Sequence, residues 1–367
     1  MALGMPQILI NFRTAAATAI TRSGRGIGAM ILNDSNATAD TGVVHYEIED
    51  STDIPTAIDS SNVDLIKKAL LGTPSKIHTF LIPPQSMTTA YTTVNQASAL
   101  KNISVMKANY ICHPTGSAIE QSDLATWTKQ QRANKNKTFK AVVANVAADG
   151  EGVINFTTTN IKVGTTTYTP AQYTARVMGA AAGVSLDRSL TYYEFPEVDS
   201  CDTYDDIDTH INNGELCLIN EYDGNGVKIA RGCNSLTTFT SIKGEDFRYI
   251  KIVESLDLIR DDIRDEFRNS YAGKIINDYN NKMLFVGAIQ TYLKNLRGSV
   301  LDASETIENT VDIDVEKNVD YATNHGVDVS GLSNQQLREL NTGTHVYLSG
   351  AIKPVNAMED LQVDFTL

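Results

Sequence analysis

Leu361-Gln362-Val363-Asp364-Phe365-Thr366-Leu367 alternates apolar and polar residues without an error, the period of a half-buried β-strand. A matching stretch lies near the other end, where Ile8, Ile10 and Phe12 alternate with Leu9, Asn11 and Arg13. Neither has a neighbouring hairpin partner, and an unpaired strand edge is an aggregation hazard. Such segments either close into the chain's own sheet or add to the sheets of other molecules. The second course builds a polymer. Small residues from Ala15 to Ala19 follow the first stretch, and Gly24, Gly26 and Gly28 come next. They are expected to act as a hinge between arm and body.

Between the two arms the pattern changes. Residues 26–32 read as a buried strand, and residues 43–48 as its hairpin-like partner. Residues 64–71 form a short helix closed by Gly72. Strands at 77–82, 108–112 and 139–145 then alternate with helices at 91–100, with Ala97 and Leu100 inward, and at 122–133, capped by Ser122. That rhythm means an α/β layer with some parallel pairing, in mixed sheets. A hairpin around Gly164 and a helix over 170–182, opened by Pro170, complete it.

Further on, a short acidic helix spans 204–213, and a strand at 215–220 turns through Asp223-Gly224-Asn225-Gly226 into 227–230. The strongest helix signal covers 254–271, where Leu256, Ile259, Ile263, Phe267 and Tyr271 make one apolar stripe. Arg260, Arg264 and Arg268 share the other faces with Asp257, Asp261 and Asp265, in pairs three apart that help modestly. Asp261, Asp262, Asp265 and Glu266, interleaved with these arginines, suggest a solvated or docking face. A second helix spans 283–296 and ends at Gly298, followed by strands at 311–315 and 346–352. The predicted class is α+β with α/β grammar, in several parts: an arm at 1–22, body at 23–75, a middle domain at 76–198, a C-terminal domain at 199–355 and an arm at 356–367.

With 367 residues, 42% of them hydrophobic, there is ample core for more than one domain. The formal charge of -13 disfavours nucleic acid and anionic membrane surfaces as partners. No segment reaches the ~20 consecutive apolar residues of a membrane span, and no signal-peptide pattern opens the chain. Cys112, Cys201, Cys217 and Cys233 form no CxxC pair and read as reduced, buried thiols of a protein folded in a cytoplasm.

Chemistry is sparse. In Gly24-Arg25-Gly26-Ile27-Gly28 the third glycine comes one residue early for a dinucleotide fingerprint, and no strand precedes it. P-loop, nucleophile-elbow and zincin motifs are absent. The six histidines, His45, His78, His113, His210, His325 and His345, share no ligand spacing along the chain. The acidic run Asp199, Asp202, Asp205, Asp206, Asp208 lacks the glycine and final glutamate of an EF-hand and suits a helix N-terminus. The expectation is therefore no catalysis, no cofactor and no metal. An α/β enzyme or ligand-binding domain seated at 76–182 stands as the alternative.

Phe247-Arg248-Tyr249-Ile250-Lys251-Ile252-Val253-Glu254-Ser255-Leu256-Asp257, with Asp261-Asp262-Ile263-Arg264 and Tyr271-Ala272-Gly273-Lys274, resembles the C-terminal half of contractile tail sheath proteins. So do Asn341-Thr342-Gly343-Thr344-His345-Val346-Tyr347-Leu348, Ile352-Lys353-Pro354 and Ala357-Met358-Glu359-Asp360. Met5-Pro6-Gln7-Ile8 through Gly26-Ile27-Gly28-Ala29 is similar to the start of compact sheaths of phages and of R-type, phage-tail-like bacteriocins of the Gram-positive type.

This resemblance implies a helical homopolymer around a tail tube protein, bounded by baseplate and tail terminator proteins and assembled in the host cytoplasm into a particle tail. It implies arms that add strands to neighbours' C-terminal domains, and contraction that drives the tube through a bacterial envelope without nucleotide hydrolysis. Ile8, Ile10, Phe12, Leu361, Val363, Phe365 and Leu367 would then be the buried residues of the arm strands. Lys294 and Arg297, at the end of the 283–296 helix, would hold the tube, or else only satisfy that helix's last carbonyls.

Overall fold

The computed structural model describes residue 20 and residues 24–38, 41–84, 94–220 and 226–366. The chain forms two compact units, one of Ser23–Leu258 with Asn356–Leu367 and one containing Ile259–Val355. Among the described residues no helix is long and apolar enough to cross a membrane.

The larger unit begins with β1 (Ile27–Asn33), β2 (Val44–Ile48), α1 (Ser60–Leu70), β3 (Lys76–Ile82), α2 (Gln96–Ile103) and β4 (Tyr110–Cys112). There follow α3 (Ala118–Lys135), β5 (Lys140–Ala144), β6 (Val153–Phe156), the small hairpin β7 (Ile161–Val163) and β8 (Thr166–Tyr168), and α4 (Pro170–Gly183). β9 (Glu194–Phe195), α5 (Ile207–Asn212), β10 (Glu215–Leu216), β11 (Leu218–Asn220), β12 (Val227–Ile229) and the first half of α6 (Ile250–Glu266) complete it.

Seven strands form one sheet in the order β10-β6-β5-β4-β1-β3-β2, parallel except for the edge strand β2. Parallel strands covered on both faces are apolar on both faces, and side-chain alternation divides them here. Met30, Leu32, Ile77, Leu81, Val142 and Ile154 pack with α1 and α4. Ala29, Ile31, Phe80, Ile82, Ala141 and Val143 pack with α2 and α3 on the other side.

Several sequence expectations are corrected. β2 pairs with β3, so it is not the hairpin partner of β1. α3 starts at a Ser117/Glu120 capping box, five residues before the expected cap at Ser122. α2 runs over Gln96–Ile103 with Ala99 and Leu100 buried and Ala97 exposed. The single strand expected at 215–220 is two: β10 closes the large sheet and β11 joins β12 and β9 in a second. The expected boundary at residue 199 thus falls inside this unit. The turn residues 223–225 and the helix start at 91–93 lie outside the described residues.

α4 packs against the end of α1 and the turn that follows it at Gly72, Gly179 and Gly183, where an added Cβ would collide with the facing backbone; at Gly179 it would strike the Ala69 carbonyl. An alanine normally stabilises a helix interior by about 1 kcal/mol over glycine. Here the sign reverses: Gly179→Ala is expected to cost about 1–3 kcal/mol through overpacking, read as a lower urea midpoint.

The smaller unit holds the second half of α6, a π-helical turn at Phe267–Tyr271, α7 (Tyr279–Asn295), β13 (Thr310–Ile313), α8 (Val315–Asn324), α9 (Asn334–Glu339) and β14 (Leu348–Ala351). Phe267, Tyr271 and Phe285 cluster in it, with Ile289, Leu293, Val300 and Leu301 buried. β13 and β14 pair antiparallel as a two-stranded ribbon. The strand expected through residue 315 stops at Ile313, because Asp314 caps α8 by accepting from Lys317 N–H. α8 and α9 were not expected from the sequence.

Candidate assembly surfaces and the buried ion cluster

The C-terminal arm is tied down at its root. Glu359 Oε1 accepts from Ser189 Oγ at 2.7 Å, and Asp360 pairs with Arg231 at 2.5 Å. Beyond that point residues 361–366 belong to no strand. Leu361 is 89% exposed, Val363 53% and Phe365 88%. The expected strand is therefore unpaired within one chain, and its apolar side chains stand in solvent. Leu367, Ile8, Ile10 and Phe12 lie outside the described residues.

The three hinge glycines differ. Gly28 lies within β1, opposite Ile77 and Tyr110, and has no room for a Cβ beside Met178. Gly26 has φ +81°, and a Cβ there would sit 3.0 Å from the Ala182 carbonyl. Packing and backbone conformation account for both, so neither is free to flex. Gly24 alone of the three has open space around it.

Lys294 is exposed in the last turn of α7, and Arg297 is half-buried just beyond it. Backbone N–H groups already cap the helix: Leu296 donates to Leu293 O, while Val300 and Leu301 donate to Leu296 O. Arg297 Nε is buried without a hydrogen-bond partner among the described residues.

The carboxylates of α6 depart from the sequence reading. Asp261 and Asp262 are buried and Asp265 and Glu266 half-buried, so the four do not form a solvated face, and Asp257 is buried as well. Tyr292 Oη donates to Asp262 at 2.6 Å, and Arg264 pairs with Asp261. Asp257 takes Arg132 in a two-pronged bond at 2.8 and 3.0 Å, and Lys140 Nζ at 3.0 Å. Lys140 also reaches Glu254 at 2.8 Å, where Tyr110 Oη donates at 2.9 Å and Arg25 lies at 3.4 Å. Glu151 adds a third carboxylate beside Arg132 and Lys243.

Burial raises the Asp257 pKa, but Lys140 and Arg132 overcome it and hold the group at about 2. Glu254 is likewise held below the usual range, with Lys140 and Arg25 outweighing burial. Tyr110 and Lys140 open β4 and β5, and Arg25 precedes β1. The cluster thus clamps the first half of α6 across the amino ends of the parallel strands. Sequence periodicity missed it because partners more than 100 positions away decide which helix face is buried.

A ligand site in a parallel sheet is expected where the strand order reverses, here between β1 and β4. Several polar side chains there bind neighbours, while Asn33 Oδ1 and His113 Nε2 are buried without a hydrogen-bond partner among the described residues. Asn33 N–H and Nδ2 donate to Thr115 Oγ1 and O, Asn62 Nδ2 donates to Asp34, and His113 bonds to Gln96. Burial pushes His113 down to about 3, so it is neutral. The four cysteines are free thiols, buried except for the half-buried Cys201. Asp206 caps α5 by accepting from Thr209 N–H, which assigns part of the acidic run to a helix N-terminus.

Family models match in two blocks: phage tail sheath protein central domain over residues 89–235, and phage tail sheath C-terminal domain over residues 243–367. A tail sheath protein of Clostridium phage phiCD119 is 34% identical over 364 residues, covering 98% of each chain. Among solved structures, a sheath tail protein from Desulfitobacterium hafniense aligns over 96% of this chain and 98% of its own, with TM-score 0.69 and 18% identity. The contracted helical sheath of the anti-feeding prophage aligns over 100% of this chain and 99% of its own, with TM-score 0.72 and 13% identity.

Proposed function

Because this chain belongs to the phage tail sheath family and is a structural subunit of a contractile sheath, we propose that it polymerises helically around a tail tube by exchanging arms between subunits. One observation carries the reading: Leu361, Val363 and Phe365 are presented to solvent on an unpaired, alternating arm. The ribbon β13–β14 is the natural acceptor. Two strands alone are marginally stable, and the ribbon is largely exposed on β14. Arms of other subunits, Ile8, Ile10 and Phe12 among their residues, would complete its sheet, with Gly24 as the swivel.

The polymer would contact a tube protein inside and baseplate and terminator proteins at its ends. It would assemble in the host cytoplasm and contract without hydrolysing a nucleotide, its energy held in subunit packing. Catalysis has no part in this reading.

Tube attachment must release on contraction, so a small electrostatic contact suits it better than an apolar one. Lys294 and Arg297 fit that role because backbone bonds already satisfy the end of α7. The double reversal Lys294→Glu with Arg297→Glu is expected to lower tube retention in co-assembly at least tenfold, while empty contracted sheaths still form. Unchanged retention would show that another element holds the tube. The arm-exchange reading itself is tested by truncation, argued in the Discussion.

A further inference from the structure

We propose that His45, Glu47 and His78 form a binding site for one late first-row divalent cation such as Zn2+, set across the edge strands β2 and β3. The two histidines are 33 positions apart and become neighbours only because β2 pairs with β3. In that antiparallel register Glu47 faces His78 and His45 faces Phe80. His45 Nε2 lies 3.1 Å from His78 Nδ1, and Glu47 Oε1 lies 3.6 Å from the same nitrogen. All three ligand atoms fall within 4.8 Å of one another. A tetrahedral Zn2+ bound at 2.0–2.1 Å needs its nitrogens about 3.3 Å apart, so small side-chain adjustments would close the site.

The surroundings suit this chemistry. Two imidazoles and one carboxylate are the ligand types that Zn2+ takes, with a fourth position left for water. His45 is stacked on Phe80 at 4.7 Å, which fixes its ring. Lys76 Nζ takes the other carboxylate oxygen, Oε2, at 3.3 Å, and leaves Oε1 turned toward His78. This is the outer-shell orientation that metal-binding carboxylates use. An ion here would staple the edge strand to the sheet at the place where strands are most prone to fray or mispair. Without an ion, one ring would simply donate a hydrogen bond to the other.

A second group, His210, Glu215 and Cys217, also lies within ligand distance, but its members are already engaged. His210 bonds to Glu215 at 2.8 Å, and Cys217 contacts Thr157 Oγ1 at 3.3 Å, with burial pushing the thiol to about 12. It provides the control.

The test titrates Co2+ into the untagged full chain, follows the ligand-field bands in the visible, and then displaces Co2+ with Zn2+. The expected result is saturation at one ion per chain, lost in His45→Ala and weakened more than about tenfold in Glu47→Gln, since loss of even an outer-shell partner costs that much. His210→Ala should leave it unchanged. Circular dichroism confirms that the His45 and Glu47 variants are folded, and His45→Asn replaces His45→Ala if the latter is not. No saturable spectrum in the parent chain would overturn the proposal. So would an unchanged spectrum in a folded His45 variant, or a loss that follows His210.

Discussion

A chain ending at Asp360 is expected to fold normally and form no tubes. The truncation removes Leu361 to Leu367, the alternating part of the arm. It keeps Glu359 and Asp360, whose bonds to Ser189 and Arg231 hold the arm's root to the body. The described part of the removed segment contributes nothing to the core, since Leu361 and Phe365 are almost fully exposed. In the polymer the same residues would be buried on a neighbour. A fully buried side chain of this size is worth about 1.5–3 kcal/mol, and each new ladder hydrogen bond adds about 1 kcal/mol net. Losing one arm from every subunit removes that sum at every lattice joint, which no single protomer can recover. Sedimentation and negative-stain microscopy should show dispersed protomers with an unchanged circular dichroism spectrum. Ile10→Pro, which deletes one ladder donor in the other arm, should act in the same direction. Normal tubes from the truncated chain would return the arm to the subunit's own surface and end the strand-exchange reading.

The local signals were legible where one element decides its own fate. The runs at 27–33, 76–82 and 140–144 are apolar on both faces, and both faces are covered. Pro170 opens α4 and Asp206 caps α5. The alternating arm reads as a strand, yet residues 361–366 belong to no strand in the single chain. What could not be read was anything that depends on strand order. Nothing in residues 43–48 says that they pair with 76–82 rather than with 27–33. That one fact also hid the approach of His45 to His78. Sequence spacing failed for Gly28 too, since a glycine in a flexible hinge and one pressed against Met178 look alike. The third case is α6. Its interleaved arginines and carboxylates suggested a solvated or docking face, whereas Asp261 and Asp262 are buried, and Arg132 and Lys140, from distant elements, draw Asp257 inside as well.

That burial makes Asp257 the most sensitive single position expected outside the arms. Asp257→Ala would remove the carboxylate that Arg132 and Lys140, both buried, share, leaving Arg132 only Glu151 at 3.5 Å and Lys140 only Glu254 at 2.8 Å. Removing one partner of a buried ion pair costs about 3–5 kcal/mol when the charge is left alone; with Glu151 and Glu254 still present, the lower end of that range is expected. Asp257→Asn keeps the shape but not the charge and should recover only a fraction. Side chains this enclosed, 2% exposed for Lys140 and 1% for Asp257, are screened little by salt, so added salt should not rescue either variant. The pH dependence has a definite sign. The folded Asp257 pKa of about 2 lies below the unfolded value of about 3.9. Its contribution is therefore fully present above the unfolded value and is lost as pH falls through the folded one. Glu254, shifted in the same direction, adds to the acid sensitivity. Urea denaturation of parent and variants between neutral pH and the acid range should show a large gap that narrows as the parent loses its own carboxylates. A gap below about 1 kcal/mol, the value of an exposed pair, would mean that the cluster is incidental and that apolar packing alone fixes α6 to the sheet.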